Sequence, residues 1–218
     1  MCTRIHSGLC IFVHMREAPV WYVSYGSNLL AERFATYLTG SPATGEFGFH
    51  PPAPSPTPPA QDRWMWIDHA LYFAGVSQRW TGSGAFVSTQ SGSDPSVAHG
   101  YLIEHGQLAH LLAVENVVDD IVAPDPTSID VGGYAHLDID RRGEAFRGKY
   151  DAVLRLPDID GIPAVTVTSS IVREHGTPSA RYVATIRRGL ESSPLELDVD
   201  AYLSRAIRTN AAGSDQRV

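Results

Sequence analysis

The sequence is nearly devoid of lysine: Lys149 is the one instance in 218 residues. With 17 basic against 24 acidic side chains the formal charge is −7, and no Lys/Arg cluster interrupts that balance. An acidic chain without a basic patch offers little to a nucleic-acid backbone or an anionic lipid surface, so neither is expected as a partner. Cysteine is almost as scarce. Cys2 and Cys10 sit together near the start, which makes neither a disulfide framework nor a metal site. The cysteine-free remainder fits a reducing compartment, and a cytoplasmic location is the expectation. No apolar run approaches the roughly 20 residues that a bilayer span requires. The apolar patch at residues 8–13 is shorter than the ~7 residues of a signal-peptide core, and no small-residue cleavage pattern follows it. Residues 1–17 therefore read as a disordered leader. Met15 is a candidate for the true start of translation, since the first strand-like run begins just after it.

Several chemical signatures are also missing. The nine histidines show neither His-x-x-x-His spacing nor a Cys-x-x-Cys neighbour, so no metal is expected. His105 and His110 face different ways on a helix. There is no P-loop and no dinucleotide glycine pattern. Ser27 lies in Tyr-Gly-Ser-Asn-Leu and lacks the second glycine of a nucleophile elbow. Ser83, between two glycines, lacks the strand-to-helix setting. These absences argue against a nucleotide enzyme.

What the chain does contain is a strong strand–turn–helix opening. Val20-Trp21-Tyr22-Val23 is β-branched and aromatic, the composition of a buried strand. Gly26 breaks it. Ser27 and Asn28 are good helix N-caps, and residues 29–38 carry apolar side chains at helical spacing. A helix start leaves backbone N–H groups unpaired, with a mildly positive end suited to a carboxylate or phosphate. Gly26 would let such a ligand approach the backbone closely.

Downstream, Pro51-Pro52-Ala53-Pro54-Ser55-Pro56-Thr57-Pro58-Pro59 excludes helix and central strand. It reads as an exposed, semi-stiff insertion. Trp64 and Trp66 could open the next strand. Strands are expected at 70–74, 82–88 and 97–103, with a bulge or close approach at Gly82-Ser83-Gly84 and a plain turn at 91–95. A helix follows at 107–114, then a loop to Pro126. Further strands are expected at 132–139, 146–156 and 162–169, with a hairpin-like turn at 141–144. Thr177 and Pro178 suit the cap and first position of a helix ending at Gly189. A last helix is expected at 197–207, and residues 209–218 read as a polar tail. The pattern implies one α+β domain over 18–208: a small, mostly antiparallel and closed β-barrel with flanking helices.

Glu115 is the candidate for proton chemistry. It ends the apolar helix Leu111-Leu112-Ala113-Val114, and burial there would make its carboxylate a better proton acceptor near neutrality. The alternative from the residues alone is a surface Glu that closes an amphipathic helix.

Five segments, taken in order, resemble the γ-glutamylcyclotransferase-like family. They are Tyr25-Gly26-Ser27-Asn28-Leu29; Leu71-Tyr72-Phe73 with Trp80-Thr81-Gly82-Ser83-Gly84-Ala85; the strand from Val97 to Leu102 with the helix ending in Glu115; Gly132-Gly133-Tyr134; and Pro178-Ser179-Ala180-Arg181-Tyr182 with Gly189. The resemblance covers roughly residues 20–205. It departs at Asn116, where the family usually has Gly, at the Trp-Gly-Gly step, which Thr81 and Ser83 split, and in the insertion at 51–59. The resemblance implies a cofactor-independent cyclisation of a small γ-glutamyl substrate to 5-oxoproline. It assigns Glu115 as the base, Tyr25, Gly26, Ser27, Asn28 and Leu29 as the substrate-binding loop, and Tyr182 as a substrate-orienting residue. A non-catalytic ligand-binding module on the same scaffold is the alternative.

Overall fold

The structure is a computed structural model that describes residues 17–137, 139 and 150–212. The leader at 1–16, the turn at 141–144 and the tail after 212 lie outside the described residues.

β1 (Pro19–Ser24) is the axis of the molecule. It pairs antiparallel with β3 (Gly82–Glu104) on one side and parallel with β6 (Ile162–Thr168) on the other. β2 (Gln61–Ser77) extends the sheet beyond β3, and β5 (Ala152–Ile159) and β4 (Tyr134–His136) extend it beyond β6. Among the described residues the order is β2-β3-β1-β6-β5-β4, and every pairing but one is antiparallel. Both faces of β1 are covered, which explains why its sequence is continuously apolar rather than alternating. Trp21 and Val23 face one cluster, with Phe73, Leu154 and Ile186. Val20 and Tyr22 face the other, with Phe34, Leu111 and Val165.

Among the described residues four helices flank this mixed sheet: α1 (Ala31–Thr39), α2 (His105–Asn116), α3 (Ala180–Glu191) and α4 (Val199–Ala212). The α+β, mostly antiparallel expectation holds. The sheet curls as a half-barrel, because among the described residues its end strands β2 and β4 do not pair with each other.

Several local readings need correction. Ser27 and Asn28 do not cap α1. A 3₁₀ turn, Ser27–Leu29, comes first, and α1 starts after Leu30 with no side-chain cap. The plain turn at 91–95 is absorbed into β3: Ser91 pairs with His69 and Ser96 with Ile67, so residues 92–95 bulge opposite Asp68. That wide bulge is where Pro95 is tolerated inside a strand. Ser179, not Thr177, caps α3 by accepting from Tyr182 N. The carbonyl of Thr177 is taken by Ser83 N at 3.0 Å. Gly189 does not end α3, which continues to Glu191. A Cβ on Gly189 would lie 2.7 Å from Leu29 Cβ and 2.8 Å from Leu30 N. The glycine is there for close packing on the 3₁₀ turn. The close approach expected at Gly82 is present: a Cβ there would be 2.6 Å from Ser179 N. The final helix spans Val199–Ala212 where 197–207 was expected.

Among the described residues no helix is long and apolar enough to cross a membrane.

Candidate active site

Four elements converge on a cavity of about 490 Å³. The 3₁₀ turn supplies Ser27, α1 supplies Arg33 and Tyr37, the end of α2 supplies Glu115 and Asn116, and α3 supplies Tyr182. Arg79, Trp80 and Phe86 from the β2–β3 hairpin line it with Tyr150 and Arg173. A second cavity of about 20 Å³ shares Ser27, Glu115, Tyr150 and Tyr182 and is also lined by Tyr25, Gly26 and Asn28. It has room for about one water molecule.

Glu115 is half-buried on the last turn of α2. Its position is fixed from both sides. Tyr37 Oη donates to Glu115 Oε1. The next residue, Asn116, is buried and bonds twice to Tyr150: Nδ2 donates to its carbonyl at 2.9 Å, and Oδ1 accepts from its N–H at 3.1 Å. Asn116 therefore locks the helix end where the family usually has Gly. The left-handed step falls one residue later, at Val117 (φ 55, ψ 49). A β-branched residue there is strained, as is common beside functional sites.

Gly26 has φ −112, which any residue could adopt. Its lack of a side chain matters because a Cβ would lie 3.1 Å from Tyr182 Oη and 3.3 Å from Ala85 Cβ. Tyr182 Oη in turn accepts from Ala85 N at 3.2 Å. Tyr25 lines the small cavity, while its hydroxyl is engaged with Val167 O at 2.6 Å. Asn28 is buried, and its Oδ1 has no hydrogen-bond partner among the described residues. Ser27, Tyr182 and Glu115 are thus brought together on the main cavity, with Tyr25, Gly26 and Asn28 behind them. Leu29 is placed differently. Its side chain is fully buried in the core against Gly189 and lines neither cavity.

The phenols around Glu115 are held in their neutral form. Burial, followed by the charge of Glu115, pushes Tyr37 well above the ordinary range and raises Tyr22 as well. Burial also pushes Tyr182 up to about 12, with Glu115 adding to the rise against the opposing bond from Ala85. A carboxylate among neutral hydroxyls can take a proton while its neighbours act only as hydrogen-bond donors and acceptors. Among the described residues no group of three or more His, Cys, Asp or Glu could hold a metal ion.

No family model matches the sequence. The uncharacterized protein loc79017 from Homo sapiens superposes with a TM-score of 0.52 at 20% identity, over 86% of this chain and 88% of the human one. A γ-glutamyl cyclotransferase superposes with a TM-score of 0.51 at 18% identity, over 85% of this chain and 87% of its own. The chain has the γ-glutamylcyclotransferase-like fold. Histone deacetylase 5 of Arabidopsis thaliana is 25% identical over 211 residues, matching 88% of this chain. The chain spans only 31% of the length of that plant protein.

On this γ-glutamylcyclotransferase-like fold, sequence reasoning missed Arg33, Tyr37, Tyr150, Arg79 and Arg173. Arg33 and Tyr37 carried a faint signal: they sit four apart on one helix face, among Leu30, Phe34 and Leu38. A charged residue on an apolar face is the informative anomaly. Arg33 is indeed 1% exposed.

A pH prediction arises here. His50 is buried beside Arg33, and its imidazole is pushed down to about 4 from 6.5, by burial first and then by Arg33 and Arg79. The unfolded chain binds the proton more readily, so the folded state is favoured fully above pH 6.5 and loses that advantage as pH falls toward 4. Urea unfolding at neutral and acidic pH checks this: wild type should lose more stability on acidification than His50→Gln. Equal losses would contradict it.

Proposed function

We propose that this protein cyclises a γ-glutamyl amide to 5-oxoproline and releases the amine. The substrate's free α-amine attacks its own γ-carbonyl. A new C–N bond forms, the old amide C–N bond breaks, and no water is consumed. Glu115 takes a proton from the attacking nitrogen and returns it to the leaving nitrogen. The developing oxyanion needs donors, and the N–H groups of Ser27 and Asn28 have no partner inside their own 3₁₀ turn. Holding the glutamyl chain curled so that amine and carbonyl meet supplies several kcal/mol of the barrier reduction. The guanidinium groups of Arg79 and Arg173 around the cavity suit a substrate that carries a carboxylate.

The observation that carries this reading is the meeting of Glu115 with the turn around Gly26. The two are far apart in sequence, yet they line the same small cavity. Incubation with a panel of γ-glutamyl amides, followed by mass spectrometry, tests it. 5-Oxoproline and a stoichiometric amine are expected. Saturable binding without product would instead make the protein a binding module.

A further inference from the structure

The stretch between α1 and β2, with its run of prolines, has no place in the reaction as written. It is nonetheless tied to the site. Ser41 and His50 exchange backbone hydrogen bonds at 2.9 and 3.0 Å, and Ala53 N donates to Leu38 O at 2.9 Å. Gln107 Nε2, at the start of α2, donates to the carbonyls of Ser55 and Thr57 at 2.8 and 3.0 Å. This segment therefore joins the helix that carries Tyr37 to the helix that carries Glu115. It also delivers His50 to Arg33.

The protons at this junction can be placed by elimination. A guanidinium has donors only. Arg33 Nη1 lies 2.8 Å from His50 Nε2, so that nitrogen is the bare acceptor, and Nδ1 carries the proton toward Gly48 O at 3.2 Å. Arg33 Nη2 donates to Tyr37 Oη at 3.0 Å. Tyr37 has a single proton, and because its oxygen accepts from Arg33, that proton is directed to Glu115 Oε1. Glu115 Oε2 makes no hydrogen bond among the described residues, which leaves it for the substrate. No carboxylate pairs directly with Arg33 among the described residues, so its charge reaches Glu115 through Tyr37.

Resting on the cyclisation reading above, we propose that Tyr37 is the positioning residue of Glu115, oriented by Arg33, and that the stretch between α1 and β2 serves catalysis by holding Arg33 through His50. Tyr37 orients one carboxylate oxygen so that the other faces the substrate amine. The α1–β2 connection is thus part of the catalytic architecture of this chain.

Tyr37→Phe removes the donor and keeps the ring. The kcat for 5-oxoproline formation should fall about 10- to 100-fold, as expected for a misplaced catalytic group. KM should change less than about threefold, because the interaction acts on the reacting group rather than on uniform binding. His50→Gln, which keeps an acceptor for Arg33, should stay within about threefold of wild type, whereas His50→Leu should follow Tyr37→Phe. Unchanged kcat in Tyr37→Phe, or a loss carried by KM instead, would overturn the proposal.

A readout independent of turnover separates this proposal from the reaction itself. In wild type, proton NMR should show a downfield, slowly exchanging phenolic resonance. It should disappear in Tyr37→Phe and move upfield in Glu115→Gln. If wild type makes no 5-oxoproline yet shows that behaviour, cyclisation fails while the Arg33–Tyr37–Glu115 arrangement stands. Absence of the resonance, or its insensitivity to Glu115→Gln, overturns the arrangement even if 5-oxoproline is formed.

Discussion

Glu115→Gln is expected to lower 5-oxoproline formation by about 10²- to 10⁴-fold, the usual contribution of a positioned general base. Glutamine keeps the shape of the side chain and an oxygen that accepts from Tyr37. It cannot take up a proton from the attacking amine. Glu115 is half-buried and makes no salt bridge among the described residues, so its neutralisation removes no ion pair. The loss should therefore appear in kcat, with the thermal unfolding midpoint near that of wild type. A variant with full turnover would remove Glu115 from the chemistry. A variant that is inactive because it is unfolded would be recognised by its melting curve.

Gly189→Ala is expected to destabilise the protein by about 1–3 kcal/mol, the cost of overpacking a filled interior. The sign is the test. In an ordinary helix interior the same change stabilises by roughly 0.5–1 kcal/mol, because glycine is the poorer helix former. Here the added Cβ would meet Leu29 Cβ at 2.7 Å and the backbone of Leu29 and Leu30 at 2.8 Å. Backbone atoms cannot rotate aside. α3 would have to lift from the 3₁₀ turn, and that turn carries Ser27 and Asn28 into the cavities. Activity should fall with stability, and Gly189→Val should be worse on both counts. Urea denaturation measures the first effect and 5-oxoproline release the second. A more stable, fully active Gly189→Ala would contradict this packing.

The parts of the fold that were legible in the sequence are those in which one local pattern dominates. β1 announced itself through Val20-Trp21-Tyr22-Val23, because a strand covered on both faces has no polar alternation to confuse it. α2 was legible from Leu108, Leu111 and Leu112, which placed Glu115 at a helix end beside buried side chains. The misreadings share a different cause. Gly189 looks like a helix stop in isolation, and only its contact with Leu29 reveals a packing glycine. Ser91 to Pro95 looks like a turn, and only the register of β2 against β3 shows it as a bulge. Leu29 belongs to the motif but not to the cavity, since neighbouring residues of a tight turn point in different directions. Tyr37 carries no catalytic signature of its own. Its importance comes from Glu115, which approaches from α2 through long-range packing that no sequence window contains.

The measurement that bears most directly on the proposed chemistry is the reaction of a γ-glutamyl amide in oxygen-18 water. Intramolecular aminolysis takes no oxygen from solvent, so the product should be unlabelled 5-oxoproline together with free amine. Glutamate carrying oxygen-18, or no conversion of any γ-glutamyl amide, would contradict cyclisation at Glu115.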